Sequence, residues 1–248
     1  MKLVVFGANG PTGRQVTQQA LAEGHTVTAV TRRPDTFPLE DRRLHVVRAD
    51  VLDAAAVERA VAGQDAVISA LGVPYSPDPV TVYSEGITHI TQAMTKQGVR
   101  RLVCVTSTVL FGVEAPGEGF FFRKVLEPFI VRFPGRTVYD DMRRMEEIVR
   151  DCDRDWTVIR PAGLFDTTAV SDYQVGDARL PGRFTSRADL ANALLRRAVD
   201  GGHVRTFIDV RTTEGTPSLL DLLRKEAVGG KKKEAEAGKK KEAVGGKK

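Results

Sequence analysis

Cysteine is nearly absent from this chain. Cys104 and Cys152 are the two among 248 residues, which excludes a disulfide framework and points to a reducing compartment, the cytoplasm. Long apolar runs are missing too. The amino-terminal run Leu3 to Phe6 stops at Gly7, too short for the core of a signal peptide, and no stretch approaches the ~18 apolar residues of a membrane span. Histidine is sparse: His25, His45, His89 and His203 are scattered without metal-ligand spacing, and no cysteine joins them,. Ser107 has no histidine nearby in sequence and no nucleophile-elbow glycines around it, so hydrolase chemistry finds no support,.

An excess of one charge is also lacking once the last 24 residues are set aside. From Lys225 the chain runs as three octamers, KEAVGGKK, KEAEAGKK and KEAVGGKK, with nine lysines and four glutamates; the other 224 residues hold 28 basic and 28 acidic groups. The net +5 therefore belongs to the tail. Rich in lysine and glycine, it has too little apolar surface to fold and is expected to be disordered. It is either a basic appendage that touches polyanions weakly or a solvated tail without a role; no specific nucleic-acid partner is implied. A domain over residues 1–224 remains, 42% of the chain being hydrophobic, enough for a sizeable core,.

What is present is a turn, Gly7-Ala8-Asn9-Gly10-Pro11-Thr12-Gly13, between a β-prone run ending at Phe6 and a helix read over Gln15 to Ala22,. Glycine there permits a tight turn, a backbone bare enough to touch a diphosphate, and close helix–strand packing. The unbonded N–H groups of the first helical turn and the helix dipole favour phosphate, and the Thr12 hydroxyl adds a donor. Asn9 and Pro11 complete the turn. The next strand, Thr26 to Thr31, is followed by Arg32-Arg33-Pro34 with no carboxylate before Asp35. An acidic residue would suit the ribose 2′-hydroxyl of NAD, whereas arginine suits the 2′-phosphate of NADP, so NADP(H) is the expected cofactor.

Strands and helices alternate over the rest of the chain, as an α/β doubly wound parallel sheet of Rossmann type with helices on both faces requires. Strands are read at Leu44 to Ala49, Ala66 to Ala70, Arg101 to Thr106, Thr157 to Arg160 and Arg205 to Val210. Helices are read at Ala54 to Ala62, Val82 to Lys96, Tyr139 to Arg150 and Ala188 to Val199. The strand ends then carry Gly7, Arg32, Asp50, Ala70, Thr106 and Pro161, where ligands of such sheets bind; Val51, Leu71 and Gly72 lie beside them. Asp166 to Arg183 reads as a loop closing the same end. The run from Phe120 to Val131 concentrates phenylalanine and reads as a lid over a flat substrate, a dimer face, an interfacial patch or an ordinary packed helix.

These segments together resemble the atypical short-chain dehydrogenases/reductases, most of all the biliverdin-IXβ reductase (flavin reductase) branch that adjoins the NmrA-like proteins. The resemblance rests on GANGPTG at 7–13, VTRRP at 30–34, ADVLD at 49–53, TVYSEG at 81–86, VCVTS at 103–107, YDDMRRMEEIVR at 139–150, TVIRPAG at 157–163 and RADLANALLR at 187–196. It implies NADPH and hydride transfer to a flat conjugated acceptor such as a flavin or quinone. It would set Gly7, Gly10 and Gly13 at the diphosphate, Arg32 at the 2′-phosphate, Asp50 and Val51 at the adenine, and Thr106 and Ser107 at the nicotinamide.

The chain departs from the family at one chemical point. Typical members use Tyr-x-x-x-Lys, the lysine lowering the phenol pKa for proton exchange. Here Tyr139 is followed four residues on by Arg143, and Met142 stands where the branch often has a polar residue. Ser107 and Tyr139 are the candidate catalytic side chains, with Tyr139→Phe expected to cost less than about tenfold and Ser107→Ala more. The alternative is a regulator that binds NADP(H) without turnover, as among some NmrA-like proteins.

Overall fold

The structure is a computed structural model, and it describes residues 1–75, 78–111 and 136–217. The compact unit is Met1–Glu214. The expected tail and the phenylalanine-rich run both lie outside the described residues.

Strands β1 (Lys2–Phe6), β2 (Thr26–Thr31), β3 (Leu44–Arg48), β4 (Ala66–Ser69), β5 (Arg101–Val105), β6 (Asp155–Pro161), β8 (Tyr173–Gly176) and β10 (Thr206–Thr212) form one sheet. Its order is β3-β2-β1-β4-β5-β6-β10-β8. Every pair is parallel except β8 on β10, which is antiparallel. Strand order reverses between β1 and β4, so the crevice over their carboxyl ends is the place for a ligand.

Both sheet faces are buried, and the strand period of two divides their side chains. Val4 and Phe6 of β1 enter one core with residues of α2 (Ala54–Val61), α3 (Val82–Gln97) and α4 (Arg136–Asp151). Leu3 and Val5 enter the other, with Val16 and Ala20 of α1 (Pro11–Ala22) and Leu190 and Leu194 of α5 (Arg187–Asp200). Continuous Val/Ile/Leu runs in the sequence are what such doubly covered strands need. Met145 and Val149 are buried and Met142 packs on the same core, a stripe at helical spacing,.

Helix boundaries follow local chemistry. Asp53 caps α2, its carboxylate accepting the Ala56 N–H at 3.0 Å, and Ser186 caps α5 through Asp189 N–H at 3.0 Å, contacts that contribute about 1 kcal/mol each. The first helix begins at Pro11, four residues before the expected start. Gly10 is its N-cap and Pro11 its first residue, a position where the ring loses no helical hydrogen bond.

The stretch from Asp166 to Arg183 is not only a loop. It contains β8, whose Tyr173 pairs with Thr212 and Gly176 with Asp209, and a separate parallel pair of β7 (Gly163–Phe165) and β9 (Phe184–Ser186) flanks it. The strand escaped notice because Gln174 and Val175 are both exposed while Tyr173 and Gly176 are half-buried, so no period-two pattern marks it.

Candidate functional site

At the end of β1 the chain approaches its neighbours so closely that side chains are excluded. Gly7 has φ +74°, and a Cβ there would lie 2.5 Å from the Ala70 carbonyl oxygen. A Cβ on Gly13 would collide with the Gly7 carbonyl, whereas on Gly10 it would stand 3.2 Å from the same oxygen. The turn is pinned by Gly10 N–H to Gly7 O at 3.0 Å and Arg14 N–H to Gly10 O at 2.9 Å. Pro11 has no N–H, and those of Thr12 and Gly13 precede the first helical carbonyl partner. This bare backbone at a helix start fits a dinucleotide diphosphate. Asn9 is engaged within the protein: its Oδ1 accepts from Arg14 Nε at 3.0 Å and Nη2 at 2.7 Å. Arg14 thereby holds a guanidinium beside the turn, a residue the sequence reading passed over although it directly follows the third glycine.

Arg32 and Arg33, just past β2, are exposed. The Arg33 N–H bonds to Thr31 Oγ1 at 3.1 Å. Asp35, the first carboxylate beyond them, pairs with Arg48 at 2.9 Å. Asp50 accepts the Leu52 N–H at 3.1 Å, and the Val51 carbonyl accepts from His89 Nδ1 at 2.9 Å. Val51 and Leu71 meet over Gly86 of α3, where a Cβ would lie 2.9 Å from Val51 Cγ2 and 3.3 Å from Leu71 Cδ1. Ala70 donates its N–H to Phe6 O at 2.9 Å, and Gly72 is exposed in the segment that follows.

At the end of β5 the neighbouring residues diverge. The Thr106 hydroxyl donates to buried Glu146 at 2.6 Å, and Glu146 also accepts from Arg160 Nε at 2.9 Å. Thr106 and Pro161 thus serve the scaffold, the Pro161 carbonyl accepting from Thr108 Oγ1 at 3.2 Å. The Ser107 hydroxyl oxygen accepts the Val109 N–H at 3.3 Å. The Tyr139 hydroxyl lies 2.7 Å from the Tyr75 hydroxyl. Tyr139 is 6% exposed and Tyr75 53%. Burial, then the bond to Tyr75, pushes the Tyr139 phenol well above its ordinary value, while Ser107 pulls the other way. Arg143 does not take the lysine's place: its guanidinium turns to Asp140 at 2.7 Å on the exposed face of α4.

The segment carrying Leu71 to Tyr75 is held from two sides. Tyr83 of α3 accepts the Val73 N–H at 3.2 Å, and burial pushes its phenol up to about 12. Asp141 of α4 in turn accepts the N–H groups of Tyr83 at 2.8 Å and Ser84 at 3.3 Å. Asp141 thereby satisfies two N–H groups in the first turn of α3 from a neighbouring helix. Neither Tyr75 nor Asp141 shows its partner in the sequence, because each is about sixty residues away. Among the described residues no His/Cys/Asp/Glu group could hold a metal ion, and no helix is long and apolar enough to cross a membrane.

Comparison with known proteins agrees with this geometry. Residues 7–200 match a family model described as NAD(P)H-binding. A (4-alkanoyl-5-oxo-2,5-dihydrofuran-3-yl)methyl phosphate reductase of Streptomyces griseus is 31% identical over 67% of this chain and 49% of its own length. An uncharacterised protein of Mycobacterium tuberculosis is 27% identical over 66% of this chain but only 15% of its own length. The chain thus spans half or less of the length of these two relatives. Among solved structures, a short-chain dehydrogenase/reductase of Veillonella parvula in complex with NADP has a TM-score of 0.72 at 19% identity, covering 88% of this chain and 99% of the other. An anaerobillin reductase of Escherichia coli O157:H7 has a TM-score of 0.67 at 21% identity, covering 88% and 100%; at such identities the likeness shows the fold. The chain belongs to this NAD(P)H-binding family, on a Rossmann fold that it shares with these solved structures.

Proposed function

We propose that the protein is an NADPH-dependent reductase of a flat conjugated acceptor, a flavin, a quinone or a similar molecule, acting in the cytoplasm. The observation that carries this reading is the hydroxyl pair of Tyr139 and Tyr75, 2.7 Å apart, with Tyr75 on the segment that follows Ala70, the residue against which the bare Gly7 turn packs. Bound NADPH would supply the hydride. The diphosphate would be held by Gly7, Gly10, Thr12 and Gly13, the 2′-phosphate by Arg32 with Arg33 beside it, and the adenine near Asp50 and Val51. Backbone at Ala70, Leu71 and Gly72, together with Thr106 and Pro161, would line the remainder.

Tyr139 receives the proton-donor role that the absent lysine argued against. A tyrosine phenol is protonated at neutral pH and so has a proton to give; burial and Tyr75 disfavour the phenolate, so the donation must be driven by the charge arriving on the acceptor. Ser107 can donate to the phenolate oxygen as it forms. How much this matters depends on the acceptor. A flavin spreads the arriving charge over its rings, so Tyr139→Phe should cost less than about tenfold and positioning should dominate. A quinone concentrates charge on one oxygen, and the same change should approach the ~10²-fold typical of a lost general acid. Single-turnover rates with FMN and with menadione test this: equal, small losses for both would remove Tyr139 from the chemistry.

A second reading, a regulator that binds NADP(H) without turnover, is favoured by the outward turn of Arg143 to Asp140. NADPH binding without consumption across a panel of flavins and quinones would support it.

A further inference from the structure

A tyrosine that gives up its proton must be given one back before the next turnover. Here Arg143 is engaged with Asp140, away from Tyr139. The hydroxyl that bonds to that of Tyr139 is the one of Tyr75. Their oxygens are 2.7 Å apart and their ring centroids 6.1 Å, tilted by 49°. Tyr139 is almost wholly buried and Tyr75 more than half exposed, so the pair joins an interior side chain to one at the surface. The segment bearing Tyr75 is fixed independently, by the Val73 N–H to Tyr83 bond, so Tyr75 is positioned rather than merely close.

We propose that Tyr75 is the relay residue that reprotonates Tyr139 from solvent, a role assigned by the 2.7 Å contact between their hydroxyls. The inference rests on the reductase reading above. The balance is simple. Hydride transfer from bound NADPH would reduce the acceptor, a quinone or flavin, by two electrons and leave NADP⁺. The acceptor oxygen or nitrogen anion takes the proton of Tyr139; the O–H bond of Tyr139 breaks as a new one forms to the proton of Tyr75; and Tyr75 takes a proton from water. One NADPH and one proton from solvent are consumed for each acceptor reduced by two electrons. Tyr75 acts through Tyr139 and is a positioning and relay group, not one that touches the substrate.

The test compares the full-length wild type and Tyr75→Phe, a change at a half-exposed ring that removes only the hydroxyl. With menadione as acceptor, kcat should fall by about tenfold, a fraction of what a general acid supplies, while KM and the Kd for NADPH stay within about twofold. The loss with FMN should be smaller. Proton return should become limiting in the variant, so the solvent isotope effect on kcat should rise and the effect of deuterated NADPH should shrink. Without any ligand, tyrosine labelled with carbon-13 at Cζ reports Tyr139 directly: its chemical shift at neutral pH should change in Tyr75→Phe, because its hydroxyl loses the partner 2.7 Å away. A menadione rate within about twofold of wild type, or a fall without a larger solvent isotope effect, overturns the relay while leaving the reductase reading intact. A wild type that binds NADPH and reduces neither menadione nor FMN overturns both.

Discussion

The carboxylate of Asp35 is bonded to Arg48, 2.9 Å away. Asp35 is the first acidic residue after β2, the one that could have opposed Arg32 and Arg33, and its charge is already matched. A 2′-phosphate near Arg32 would therefore meet net positive charge, whereas a bare ribose would gain nothing from it. Arg32→Ala should weaken NADPH binding by about 10- to 100-fold, the value of a charge-assisted contact, and NADH binding little. Titration of both cofactors checks it; equal losses would show that the arginine does not read the phosphate.

The three glycines of the turn should not be equivalent. A methyl on Gly13 meets the Gly7 carbonyl, a backbone atom that cannot swing away, whereas on Gly10 it meets the same oxygen at a tight but tolerable 3.2 Å. Gly13→Ala is expected to destabilise the fold by about 1–3 kcal/mol and to abolish measurable NADPH binding; Gly10→Ala should keep the fold and lose less affinity. Thermal melts with and without NADPH separate the two variants.

Asp141 links two helices by accepting from Tyr83 N–H at 2.8 Å, Ser84 N–H at 3.3 Å and the Ser84 hydroxyl at 2.5 Å. It is wholly buried. Asp141→Ala strands these donors at the start of α3 and should cost at least about 2 kcal/mol, by the penalty for buried polar groups left without acceptors. Denaturant unfolding measures it. A loss below about 0.5 kcal/mol would mean water replaces the carboxylate.

Burial pushes the Asp209 carboxyl up to about 6, against the opposing pull of Arg211 and the Leu180 N–H. An unfolded aspartate titrates near about 3.9, so the folded protein holds this proton more tightly. The stability this contributes is full below about pH 4 and is lost as pH rises to about 6. The difference in Tm between wild type and Asp209→Asn should therefore drift against the wild type across that window. A difference that is flat with pH would show that the ion pair with Arg211 keeps the carboxyl charged throughout.

Much of this architecture was legible in the sequence, and for an identifiable reason. Strand β2 falls where it was expected, Thr26–Thr31, because a strand buried on both faces writes itself as an unbroken β-prone run. The glycine turn was legible because close backbone approach admits no other residue. What could not be read was partnership across distance. The bonds of Tyr75 to Tyr139 and of Asp141 to α3 join segments about sixty residues apart, and local pattern carries no trace of them. The same holds for Thr106, which stands at the expected strand end but gives its hydroxyl to Glu146, forty residues on. Edge strand β8 failed for the opposite reason: four residues with two exposed in a row leave no period to read.

The most direct test of the central claim is the stoichiometry of NADPH consumption with menadione and FMN, followed by cofactor absorbance and by product analysis. The account predicts one NADP⁺ formed per acceptor reduced by two electrons, with NADH a poorer donor and the menadione rate lowered more than the FMN rate by Tyr139→Phe. NADPH that binds saturably yet is not consumed with either acceptor would contradict it, and would mark the chain as a sensor of the cofactor rather than a reductase.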